Sequence, residues 1–447
     1  MRRTKLFSAF TVLAAAFLTG FFWRVRGTGG WGSAWGLLTV GLGLTLFLAG
    51  VVKKEKTPSF RLVSLTAFSF MLTAPAWGTL LTQITGVIRA ETIGEGAADI
   101  YISPAAGVLT MALMGFGIPA VFGVLLGRCF GDRAWSLKQY LLVLGVFLLA
   151  LYGAKASVAH PLVKLIEPQA VEAFKTGIEQ GNLGKSVYAV YMAHFNAEGW
   201  AKKIYGGRHY YALVSAVAGA IGSIAAILAA RFLAKDRYAA KTGALVCGAF
   251  AFSITVSDLF FFFSYGGYHM AQGFTLPENF AAWSLWEYFT GFIAGGIVAA
   301  WILKTAPEGG TEEVLPARVP EKPLGALTFI LCCVGALGVN IVRPVLRRFE
   351  DTAYLIPAVT AAVVFALAAG LLLCRICGFR FEKRDLRRVY PALCLALVLF
   401  TVICYLFIAP AAKQEFRNLA QAHNVLVIVS VAVVSLQQTA ACCSIRN

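Results

Sequence analysis

Two arginines and two acids are the first residues whose types suggest chemistry. Arg24 and Arg26 close an apolar run and lead into Gly27-Thr-Gly-Gly30, before Trp31 and a second apolar run. A helix N-terminus offers unpaired N–H groups and the positive end of its dipole. Glycines let an anion come close to the backbone, and guanidiniums grip carboxylate or phosphate through paired N–H bonds. Arg24, Arg26, Gly29 and Gly30 are therefore candidates for holding an anionic group. The alternative is an interfacial anchor and tight turn, with Trp23, Trp31 and Trp35 as belt residues. The run lacks the Lys-Ser/Thr of a phosphate loop, so nucleotide binding is not implied. Asp258 and Glu287 are the acids within apolar spans. A charge at mid-bilayer costs about 2.5–3.5 kcal/mol. One of the two is expected to pair with Arg24 or Arg26, and both could serve as proton or cation sites or as structural counter-ions.

The histidines form a second group. Tyr205-Gly-Gly-Arg-His209 leads into one apolar run and Tyr265-Gly-Gly-Tyr-His269 follows the next. A hairpin of those two runs would bring His209 and His269 face to face. His194 and Glu198 are spaced i,i+4, on one helical face, and Glu91, Glu95 and Asp99 share another loop. Imidazole with carboxylate suits a divalent metal or acid–base work. No consensus ligand spacing is present, so a divalent metal at His194, Glu198, His209 and His269 stands beside the alternative of surface histidines and packed Tyr-Gly turns. No other cofactor is implied. Cys374-x-x-Cys377 ends an apolar run and reads as two buried thiols rather than half a metal site.

Such residues must be positioned by membrane helices. Of the 447 residues, 59% are hydrophobic and 14% charged, with a mean hydropathy of +0.73. Soluble domains carry about 25% charged residues, so a soluble enzyme, a nucleic-acid factor and a disordered scaffold are excluded. A span needs about 20 mostly apolar residues. Twelve runs qualify: 6–23, 32–52, 62–83, 105–127, 139–154, 211–230, 242–264, 284–303, 324–342, 355–374, 391–409 and 425–443, the fifth being the shortest. The fold class is thus all-α, a polytopic bundle of about 12 spans. The first run ends in Phe22-Trp23-Arg24 without a small-residue cleavage site and reads as a retained anchor.

Placing both termini in the cytoplasm of a cell-membrane protein puts well over half of the 39 Lys and Arg on the inner side. The net charge of +17 is then explained by the positive-inside rule and by anionic lipid, with no nucleic acid needed. The ten cysteines fall in apolar runs or inner loops, so no disulfide framework is implied.

The stretch 304–323, rich in proline, glycine and charge, divides the chain into an eight-helix unit (1–303) and a four-helix unit (324–447), with one continuous bundle as the alternative. Arg24-Val-Arg26-Gly-Thr-Gly-Gly-Trp31 is echoed by Lys202-Lys203-Ile-Tyr-Gly-Gly-Arg208-His209, four spans later, which suggests a weak 4+4 parallel repeat. In the long outer loop 155–210, Val171, Phe174 and Ile178 share one helical face, and Val187, Tyr191 and Phe195 another. Gly291-x-x-x-Gly295 allows close helix contact.

Two functional readings follow. One is a gradient-driven transporter or permease for a polar or anionic small solute, with its site near the outer face. The other is an integral enzyme whose outward active site acts on a lipid-linked or envelope substrate by glycosyl or phosphoryl transfer. A structural subunit of a membrane complex, or an oligomer, is a third. The expected partners are the lipid bilayer and one such substrate.

Overall fold

The computed structural model describes residues 5–28, 34–52, 57–77, 83–88, 100–180, 207–264, 282–308, 386–407 and 422–444. The fold is all-α, and among the described residues the only strands are a two-residue antiparallel pairing of Val87–Ile88 with Ile100–Tyr101. Its helices are α1 (Lys5–Thr28), α2 (Ala34–Val51), α3 (Phe60–Met71), α4 (Pro104–Gly117), α5 (Ala120–Phe130), α6 (Leu137–Ala156), α7 (Ala159–Ile166) and α8 (Pro168–Gln180). They continue with α9 (Gly207–Leu228), α10 (Arg237–Ser257), α11 (Leu259–Ser264), α12 (Ala282–Thr305), α13 (Leu386–Phe407) and α14 (Ala422–Ser444).

Among the described residues, five stretches are long and apolar enough to cross a membrane: Ser8–Arg26, Leu137–Ala156, His209–Leu233, Arg237–Phe261 and Ala282–Thr305. The pair α4 and α5, bent by 44°, makes a sixth if counted as one span. The runs 324–342 and 355–374, and most of the stretch 304–323, lie outside the described residues.

Several boundaries differ from the sequence reading. The first helix runs on to Thr28, so Arg24 and Arg26 sit in its last turns rather than in a following loop. The third run, 62–83, is not one helix. Helix α3 stops at Met71, and a 3-10 turn at Ala74–Ala76 follows. Pro75 cannot continue the ladder, and the Thr73 hydroxyl donates to the Phe70 carbonyl. The fourth run bends where Pro119 follows Gly117, whose backbone lies against that of Gly219. The fifth run, expected to be the shortest, is a full 20-residue helix. It starts from a capping box in which the Ser136 N–H donates to Gln139 Oε1 at 2.7 Å. The seventh breaks at Asp258 before α11, and α9 begins early enough to include His209.

Packing rests on small residues. Lipid supplies no hydrophobic drive between helices, so close backbone approach and dispersion must hold them. Gly291 and Gly295 of α12 lie against Thr19 and Trp23 of α1, and Gly20 of α1 lies against Tyr288. Helices α4, α5 and α12 surround α10. Helix α6 sits at the periphery: Val143, Phe147 and Leu151 pack on α9, while Leu141 and Leu149 are exposed as a lipid-facing surface requires. The last two described helices join the first two. Gln437 donates to Thr11 at 2.8 Å, and Tyr390 to the Pro58 carbonyl.

Gly295→Leu should therefore lower stability by about 1–3 kcal/mol through overpacking. Gly248, with open space beside it, should accept alanine with a change of at most about 1 kcal/mol, towards greater stability. Thermal unfolding in detergent compares the two; equal losses would mean that the α1–α12 seam is not tight.

Candidate functional site

At the ends of α1 and α12 the expected ion pair is present. Arg24 Nη1 donates to Glu287 Oε2 at 3.2 Å, and Arg26 Nη2 lies 3.9 Å from Oε1. Arg24 and Arg26 are 3% and 2% exposed, so both charges are out of bulk water. A buried carboxylate is tolerated only with such partners. Arg26 is further held between two indoles, its Cζ 4.5 Å from the Trp23 ring centre and 4.3 Å from that of Trp77. Trp77 belongs to the non-helical stretch after α3, so the break in the third run puts an aromatic face over the guanidinium.

Arg26 Nε is buried without a hydrogen-bond partner, and the Glu287 contact is beyond hydrogen-bond length. Trp23 Nε1, Trp286 Nε1, Thr290 Oγ1 and Ser257 Oγ are likewise buried without partners. Such atoms cost free energy unless water or a ligand satisfies them.

Of the two acids it is Glu287 that meets the arginines, while Asp258 takes a backbone partner. Its Oδ2 accepts from the Ile84 N–H at 3.0 Å, which satisfies backbone that the broken third run leaves open. Oδ1 is buried without a partner. The Trp301–Thr242 hydrogen bond fixes the antiparallel register of α12 on α10. Counting from it sets Asp258 level with residue 285, about 3 Å along the axis from Glu287. Lys155 serves the same unwound backbone from another side, its Nζ donating to the Pro75 carbonyl at 2.6 Å.

The histidine group resolves differently. His269, His194, Glu198, Glu91, Glu95 and Asp99, with Gly29 and Gly30, lie outside the described residues. His209 pairs with Glu167, Nε2 to Oε2 at 2.9 Å, and Thr110 donates to Oε1 at 3.2 Å. All three are buried. Glu167 links α7 to α8, and sequence reasoning missed it because it lies in a long loop, 42 residues from its partner. The one available signal was its place before Pro168, where a chain must turn. Helix α8 presents Val171 and Phe174 inward as expected, and Phe174 stacks on Tyr210 at 4.2 Å. Among the described residues no group of three or more His, Cys, Asp or Glu could hold a metal ion.

No protein-family model matches the chain, and neither a curated protein nor a solved structure does.

Two expectations follow. Glu287→Arg or Arg24→Glu alone should destabilise the fold by roughly 3–5 kcal/mol, by leaving like charge buried. The double exchange should recover part of that loss in a thermal-unfolding cycle; strictly additive losses would show that the pair is not coupled. The second concerns His160, which pairs through Nδ1 with the Tyr210 hydroxyl. Partial burial, then Lys175 and Lys164, hold its pKa below the usual value. A depressed folded pKa means the unfolded chain binds the proton more readily. The contribution is therefore complete above about pH 6.5, the unfolded value, and is lost as pH falls through the lowered folded value. Unfolding midpoints from pH 7.5 down to 5 should fall more steeply for the wild type than for His160→Phe; parallel curves would refute this.

Proposed function

We propose that the chain is a multi-pass membrane transporter, a gradient-driven permease for a polar, anionic small solute. Its substrate site lies around Arg24, Arg26, Gly29, Gly30, Asp258, Glu287, His209 and His269, near the outer face. The observation that carries this reading is the state of Arg26. Its guanidinium lies between two indole faces, with Nε unsatisfied and Glu287 3.9 Å away. A planar cation so held leaves its edge for an in-plane acceptor, the arrangement that recognises a carboxylate or phosphate.

The broken third run supports the same reading. Non-helical backbone at membrane depth is tolerated where protein buries it or where it lines a cavity, and transporter sites are often built on discontinuous helices. Here that backbone is met by Asp258 and Lys155 and carries Trp77 to the site. The full reading takes twelve spans in an eight-plus-four division with a 4+4 repeat, and a cell-membrane protein with both termini cytoplasmic. A second reading, an outward-facing enzyme on a lipid-linked substrate, is favoured by the buried Glu167–His209 pair, which has the composition of an acid–base dyad.

Proteoliposome uptake of a panel of small carboxylates, phosphates and neutral analogues tests the choice. Arg26→Gln should cut uptake of the preferred anion roughly 10- to 100-fold, the worth of about 1.5–3 kcal/mol for a charged hydrogen bond. Binding beside Trp23 and Trp77 should change tryptophan fluorescence in the wild type and not in Arg26→Gln. Uptake unchanged in Arg26→Gln would end the transporter reading at this site. Turnover of a lipid-linked substrate, lost in His209→Gln and kept in Arg26→Gln, would establish the enzyme.

A further inference from the structure

The opposite end of the bundle holds another guanidinium that the reading above does not use. Arg128, in the last turn of α5, is fully buried. Its Nε, Nη1 and Nη2 are all buried without a hydrogen-bond partner. The Tyr140 ring, with its centre 6.0 Å from Cζ, gives only a weak cation–π contact. A guanidinium cannot shed its proton, so an unpaired one in the interior is among the costliest features a fold can carry. A partner has to be supplied.

Among the described residues, the acids of the adjoining segments do not supply it. Asp236 is turned to other donors: Oδ1 accepts from the Ala239 N–H at 2.8 Å and Oδ2 from Trp135 Nε1 at 2.9 Å. Asp132 is exposed. The surroundings are otherwise cationic, with Arg133, Lys138, Lys235 and Arg237 on the neighbouring turns.

A second arginine is close in register. Phe70 stacks on Phe122 at 4.4 Å, and the Thr66 hydroxyl lies 3.4 Å from the Leu125 carbonyl. One helix ascends as the other descends, so α3 and α5 are antiparallel and Arg61 comes level with residues 130–131. That is about one helical turn from Arg128. Arg61 is half-buried, and its Nη1 is also buried without a partner. Two guanidiniums with unsatisfied donors at one level match the several acceptor oxygens of a phosphate. Tyr140 of α6 covers Arg128, and on the same helix Leu137 and Leu141 are exposed, so a headgroup would reach the guanidinium by displacing the Tyr140 side of this cover.

We propose that Arg128 and Arg61 form an anion site for a phosphate group, presented by an anionic phospholipid headgroup or by free phosphate. The site is independent of Arg26. The packing of Gly127 against Ala239 and Thr242 sets Arg128 beside the start of α10, about 25 Å along that helix from Asp258.

The test uses the full-length protein, delipidated in a non-ionic detergent. Its unfolding midpoint is followed while inorganic phosphate replaces chloride at constant ionic strength, and separately in nanodiscs of phosphatidylcholine with and without phosphatidylglycerol. The wild type should gain several degrees in at least one arm. A response to inorganic phosphate identifies a soluble ligand; a response to phosphatidylglycerol alone identifies the headgroup. Arg128→Met should abolish the response, and Arg61→Gln should weaken it. Should Arg128→Met fail to fold, Arg128→Lys keeps the charge but not the fork and should show a reduced response. Mass spectrometry of the protein before delipidation adds a readout that does not depend on stability in the headgroup case: co-purified anionic phospholipid should fall in the Arg128 variants. A wild type indifferent to both phosphate and phosphatidylglycerol, or an Arg128 variant that responds as the wild type does, would overturn the proposal.

Discussion

The hydrocarbon of a bilayer offers no partner to a broken helix or a stray charge, so each needs one from the protein, a water-lined cavity or a ligand. Much of this architecture follows from that constraint. The helix of the third apolar run stops at Met71, ahead of Pro75, whose carbonyl is met by Lys155, and Asp258 meets the Ile84 amide just beyond the run. The break in turn carries Trp77 over Arg26. A proline that interrupts a helix thus shapes the candidate site through the partners its open backbone requires.

The same constraint governs the ionised groups. Glu287 is buried among the helices and is met by Arg24 and Arg26. Glu167 is met by His209 and Thr110. Arg128 departs from the pattern, being buried without a hydrogen-bond partner for any guanidinium nitrogen. Arg26 and Arg128, which both keep unsatisfied guanidinium donors, therefore mark opposite ends of one bundle. For those donors no described residue places an acceptor within bonding distance.

Close packing makes these placements definite. Gly20, Gly291 and Gly295 let α1 and α12 approach until Thr19 and Trp23 touch the facing backbone. That approach sets the axial register bringing Arg24 to Glu287. Contacts from Gln437 to Thr11 and from Tyr288 to Ser430 bind α14 to the same pair, so the last described helix supports the element that carries the arginines.

Hydropathy alone determined that this is an all-α protein with helices able to cross a membrane, because a run of apolar residues is a local property. It also identified Glu287 and the two arginines, since charge in or beside an apolar run carries a known cost and calls for a nearby partner. It did not reveal that the third and fourth runs are interrupted, because hydropathy is blind to the backbone ladder that Pro75 and Pro119 break. Nor did it find Glu167 or single out Arg128. One lies in a loop far in sequence from His209, and the other is one more basic residue at the end of a span. Which acid meets which base, and which cation is left unsatisfied, is decided by how helices distant in sequence come to lie side by side. That depends on the register of small residues in the seams, and only the tertiary structure fixes it.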